Sequence, residues 1–209
     1  MGKIFCIMGK SSSGKDTLYK KILTTENLPL LQIVIYTTRP IRFGETNGVE
    51  YFFVDEQRLK ELEEEGRVIE LRAYHTVCGV WKYFTVNDGQ IDLDRQNYLM
   101  ITTLEAYTKV REYFGASAVV PVYIEVEDGL RLKRALEREM LQTEPKYAEL
   151  CRRFLADTED FSEEKLKAAG IEKRFFNEDL EQTRMEITSY IYEVLQDCEI
   201  FGNDIEEGV

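Results

Sequence analysis

The run Gly9-Lys10-Ser11-Ser12-Ser13-Gly14-Lys15-Asp16-Thr17 carries the strongest chemical signal in the chain. Its glycines let the backbone curl until successive N–H groups point at an anion. Lys15 adds a full positive charge, and a helix start adds its dipole. The pattern is that of a phosphate-binding loop and predicts a protein that handles a nucleoside triphosphate, with Gly9, Ser11, Ser12, Ser13, Gly14, Lys15, Asp16 and Thr17 around the phosphates. One position departs from the usual string. Asp16 follows the lysine where a hydroxyl commonly holds magnesium, and Thr17 comes next. Both are candidate metal ligands. Alternatively, Asp16 only suits the dipole of the helix's first turn.

Such a loop needs a strand before it and a helix after it. The apolar run Ile4–Met8 and the amphipathic stretch Leu18–Leu23 supply both. Further apolar runs predict strands at Ile33–Tyr36, Val49–Val54, Val68–Leu71, Trp81–Val86, Tyr98–Ile101, Ala118–Ile124 and Lys173–Phe176. Asp55 is placed to cap a helix that ends at Gly66, with Leu59 and Leu62 as its apolar seam. Helices are also expected at Leu104–Tyr113, over Asp128–Lys167 with a break at Thr143-Glu144-Pro145, and at Leu180–Cys198, where Met185, Ile187, Ile191, Val194 and Leu195 share a face. The β-rich stretch 36–90 interrupts the alternation and reads as an inserted subdomain. The fold class is therefore α/β, a parallel-sheet domain with two appendages.

The bulk composition narrows the function. A chain of 209 residues suits one domain with a sizeable core, and its net charge of −12 argues against general nucleic-acid binding. Cys6, Cys78, Cys151 and Cys198 are scattered, without metal-ligand spacing, and read as reduced thiols of a cytoplasmic protein. The single histidine, His75, reads as a strand-end surface residue. No run approaches membrane-spanning length and none resembles a signal peptide, so no membrane association is expected.

A longer string then narrows the reading. Thr37-Thr38-Arg39-Pro40-Ile41-Arg42-Phe43-Gly44-Glu45, followed by Asn47-Gly48 and Tyr51-Phe52-Phe53-Val54, resembles the nucleotide-recognition loop of guanylate kinases. Asn177-Glu178-Asp179-Leu180 resembles the segment that opens that family's last helix. The resemblance implies a three-layer phosphate-loop fold. Its core would comprise 1–35, 91–130 and 170–209, with a nucleoside-monophosphate subdomain at 36–90 and a helical lid at 131–169. It implies phosphoryl transfer from ATP to GMP with Mg2+, by a monomer or homodimer. It also implies roles. Arg39, Arg42 and Tyr51 would hold the acceptor phosphate, and Glu70 would read guanine. Arg134, Arg138 and Arg153 would close from the lid as catalytic residues with Lys15 and Arg39.

The residue types have a physical rationale of their own. Arginine forks suit a dianionic phosphate. A carboxylate can accept both N1–H and N2–H of guanine, whereas adenine presents a lone pair at N1. Competing readings stand beside these. Arg39 and Arg42 can pair with Glu45 or Glu50, Tyr51 can be strand packing, Glu70 a solvated glutamate, and the lid arginines surface charges near Glu137 and Glu139. Three positions depart from the family. Ile35 stands where a serine helps hold the base. Met100–Glu105 carries no aspartate, leaving Thr102 or Thr103 to offer a hydroxyl. The second phosphate-binding tyrosine falls on Cys78 or Tyr83. A different acceptor monophosphate, or a non-catalytic peptide-binding module, are the alternative functions.

Overall fold

The computed structural model describes residues 1–76 and 79–203, and side chains up to residue 196 apart from that of Thr76. Cys78 and the acidic tail after Asn203 lie outside the described residues, as does the side chain of Cys198. The strand β1 (Ile4–Met8) alternates its side chains between two cores, and all five are fully buried. Such a run can only be a central parallel strand, buried on both faces. The parallel sheet has the order β2 (Leu30–Gln32), β7 (Asn97–Ile101), β1, β8 (Val119–Glu125), β9 (Arg174–Phe176). Helices α1 (Lys15–Leu23) and α7 (Leu180–Asn203) cover one face through Leu18, Ile22, Ile187 and Ile191. Helices α3 (Leu104–Phe114) and α6 (Glu163–Ala168) cover the other through Leu104, Tyr107, Val110 and Leu166. Three layers result.

A second sheet, β4 (Phe52–Phe53), β3 (Tyr36–Thr37), β6 (Gly79–Val86), β5 (Val68–Thr76), is mostly antiparallel and has a core of its own. Helix α2 (Glu56–Glu64) packs Leu59 and Leu62 against Phe84 and Val86. Its cap is as expected: the Asp55 carboxylate accepts from the Arg58 N–H at 2.8 Å. The charged helical region divides into α4 (Asp128–Met140), α5 (Tyr147–Asp160) and α6, with the break at the expected proline and a second one at Phe161–Ser162.

Three expected elements differ. The strand expected at Ile33–Tyr36 splits, with β2 ending at Gln32 and β3 starting at Tyr36 in the other sheet. The cause is Gln90, whose side-chain amide binds both peptide groups of Val34, at 2.8 and 3.1 Å, and so replaces the ladder there. Val49–Val54 shrinks to two strand residues because Val49 closes a turn onto Thr46 and is half exposed. The runs around Leu71 and Trp81 grow into one long hairpin, in which exposed His75 pairs with Val80. On α7, Met185 is exposed and does not join the buried face of Ile187 and Ile191.

The small core gives a direct test. Leu62→Ala empties a fully enclosed site, and we expect a loss of about 2–5 kcal/mol in urea unfolding. Leu155→Ala, whose side chain is exposed on α5, is expected to lie within about 0.5 kcal/mol of the parent protein.

Candidate functional site

The C-terminal ends of β1, β7, β8 and β9 meet along one edge of the parallel sheet, where ligands of open α/β sheets bind. There the chain turns from Met8 into the phosphate loop and enters α1 with no side-chain cap. The first-turn N–H groups are thus available to an anion. Gly14 takes φ +84°, and a Cβ there would collide with the amide of Asn177. Asn177, at the end of β9, donates to the Ser13 carbonyl at 2.7 Å and ties the last strand to the first loop. The hydroxyls of Ser12 and Ser13 are buried and have no partner among the described residues. Buried polar atoms are seldom left so, and these fit a ligand rich in acceptors. Lys15 lies 3.8 Å from Asp16, whose side chain is exposed, as is Thr17. Among the described residues no protein cluster could hold a metal by itself.

Arg39 is 3% exposed and lies over the rings of Tyr51 and Phe53. Its guanidinium forks onto Glu45 at 2.7 and 3.0 Å, so the competing ion-pair reading of Arg39 is present in this structure. It also donates to the Pro40 carbonyl at 2.9 Å. The Tyr51 and Tyr83 rings meet edge to face at 5.6 Å. Arg39, Tyr51 and Tyr83 therefore form one cluster. Arg42 lies at the cluster's rim, its guanidinium 5.8 Å from the Trp81 ring, and its backbone N–H donates to Glu45. Burial raises the Tyr51 hydroxyl above its ordinary pKa, with Tyr83 and Asp16 adding to the rise and Arg39 opposing it.

Glu70 is buried, so the solvated reading fails. Its carboxylate accepts from Arg72 at 2.9 and 3.1 Å and from the Thr85 hydroxyl at 2.7 Å. Arg72 reaches on to the Thr103 hydroxyl at 3.4 Å and joins the two sheets. Thr103 also caps α3, accepting from the Ala106 N–H. Thr102 is buried against the end of β1, and Ile35 packs toward the main core.

On α4, Arg134 donates to the carbonyls of Asn177 and Glu178 at 3.1 and 3.4 Å rather than to neighbouring glutamates. Arg138 and Arg153 line a cleft with Ser11 and Ser12, bringing α4 and α5 over the loop. Asp157 of α5 was not anticipated. Its carboxylate accepts from the Ser11 N–H at 2.8 Å and from Arg131 at 3.1 Å. Arg131 is fully buried, pairs with Asp128 as well, and stacks on Phe154. The Cys6 thiol, buried inside β1, is pushed well above its ordinary pKa and is inert.

With this geometry in place, comparison with known proteins is decisive. The family model described as guanylate kinase matches residues 1–191. The chain belongs to the guanylate kinase family. A guanylate kinase of Syntrophomonas wolfei is 32% identical over 123 residues, covering 58% of this chain and 61% of that protein's length. One of Malacoplasma penetrans is 27% identical over 154 residues, covering 73% of this chain and 76% of that one. The crystal structure of guanylate kinase from Anaplasma phagocytophilum shares the fold at a TM-score of 0.66 and 21% identity, covering 92% of this chain and 85% of that one.

The Arg39–Glu45 pair makes a pH prediction. Arg39's donors hold the Glu45 carboxyl below its ordinary 4.5. Its stabilisation is therefore full above that value and is lost as pH falls through the lowered one. Trp81 is the only tryptophan and borders the same loop. We expect its emission to be flat between about pH 7 and 5 and to change below about pH 4, and Glu45→Gln to abolish the acid-side change.

Proposed function

We propose that this guanylate kinase-like phosphotransferase moves the γ-phosphoryl group of ATP to the 5′-phosphate of GMP, giving ADP and GDP. Support comes above all from the uncapped start of α1 behind the glycine loop, with the buried, unpartnered hydroxyls of Ser12 and Ser13, together with the buried Arg39–Tyr51–Tyr83 cluster of the small sheet. The family membership points the same way.

In this reading residues 36–90 receive the acceptor, 131–169 form the lid, and the rest is the core. The amides of Gly9–Gly14 and Lys15 bind the donor's phosphates. Thr17, with Asp16, would hold magnesium, which when bound neutralises charge on those phosphates. Arg39 and Arg42 hold the acceptor phosphate. Glu45 keeps the Arg39 fork planar and aimed, and Tyr51 and Tyr83 donate hydroxyls beside it. Glu70, steadied by Thr85, addresses the base, and Thr103 offers a further hydroxyl. Arg134, Arg138 and Arg153 bring positive charge over the transferring group. Phosphoryl transfer asks little more of a protein than this alignment and neutralisation. Lid closure excludes water and so limits ATP hydrolysis.

Coupled ADP-release kinetics with MgATP and GMP test the reading. Turnover is expected with GMP, with slow ADP release in its absence. Lys15→Ala is expected to lower kcat/KM at least ~100-fold at unchanged melting temperature, as for loss of a charge-stabilising donor. Intact MgATP binding with no turnover of any monophosphate would refute the activity.

A further inference from the structure

Arg72 is the one buried cation of the small sheet that the mechanism above leaves without a task. It lies two residues from Glu70 on β5 and therefore on the same face of the strand. An ionised carboxylate offers about four lone-pair positions. On Glu70, Oε1 accepts from Thr85 Oγ1 and Arg72 Nη2, and Oε2 accepts from Arg72 Nε. Guanine needs a free position on each oxygen, one for N1–H and one for the 2-amino group. With Arg72 docked, room for one donor remains, on Oε2. Arg72 Nε and one Nη2 hydrogen are spent on Glu70, so an acceptor on the incoming base would be met by Nη1. Its long 3.4 Å bond to Thr103 is readily exchanged. A single N–H next to a carbonyl is the 1,6 edge of a 6-oxopurine. Ile35 offers no polar group, and the segment Met100–Glu105 has no aspartate to reward a 2-amino group, its one carboxylate, Glu105, being exposed.

We propose that Arg72 is a specificity-determining residue of the base pocket: it restricts Glu70 to one base donor, so that the pocket accepts hypoxanthine nearly as well as guanine. The proposal rests on the reading of this subdomain as the acceptor site. A carboxylate with both oxygens open is left with an unfilled acceptor by IMP and rejects it by ~10⁴-fold or more. Here that acceptor is already filled from within the protein.

The test is kcat/KM for GMP, IMP and AMP with saturating MgATP. For the parent protein the GMP and IMP values are expected within about tenfold of each other, with AMP far below. Arg72→Met reopens Glu70 and is expected to widen the GMP-to-IMP ratio to about 100-fold or more, chiefly through the KM for IMP. Arg72→Lys, with the charge but not the fork, is expected between the two. A parent ratio above about 1,000 overturns the proposal, as does an Arg72→Met variant that weakens both nucleotides alike. If Arg72→Met does not fold, the parent ratio and Arg72→Lys decide. A parent GMP-to-IMP ratio above that limit with normal turnover of GMP defeats this proposal alone. Turnover of none of the three, with MgATP still bound, defeats the acceptor reading beneath it as well.

Discussion

The loop after Met8 has its place because β1 delivers it from the middle of the sheet. That strand pairs with β7 on one side and β8 on the other, and both faces are sealed by helices. Its end is therefore fixed in position and direction, and the turn that follows has little freedom. Asn177 removes more of it by holding the Ser13 carbonyl from the far end of the chain. A loop of bare amides would otherwise lose much of its binding energy to ordering.

The small sheet uses a different device. Both of its buried arginines are already matched by a carboxylate, Arg39 by Glu45 and Arg72 by Glu70. Leaving either guanidinium buried without its partner would be strongly destabilising. Each pair therefore keeps the site assembled before a nucleotide arrives, and each fixes the plane of a fork that a flexible side chain would not hold. The two pairs differ in exposure. Glu45 reaches solvent at the loop's rim, whereas Glu70 is enclosed and shares its charge with Thr85.

How much of this was legible in the sequence follows contact range. The phosphate loop, the Asp55 cap and the Leu59–Leu62 seam depend on neighbours a few residues apart, and spacing alone located them. The roles of Thr85 and Arg72 depend on which residues face each other across a hairpin. Alternation places Arg72 on Glu70's side of β5, a signal present in the sequence, but only the pairing of Glu70 with Thr85 closes the network. The split between β2 and β3 was beyond reach because Gln90, 56 residues on, intercepts Val34. Asp157 meets Ser11 across 146 residues, and nothing local distinguishes it from the other acids of α5.

That last contact means the loop in this structure already carries an anion supplied by the protein. A small, singly charged visitor gains little by taking its place, since one carboxylate-like bond is exchanged for another. On the function proposed above, a triphosphate would also reach the remaining amides, Lys15 and the two serine hydroxyls, and so would gain more partners than it breaks. Displacement of Asp157 would leave Arg131 anchored by Asp128.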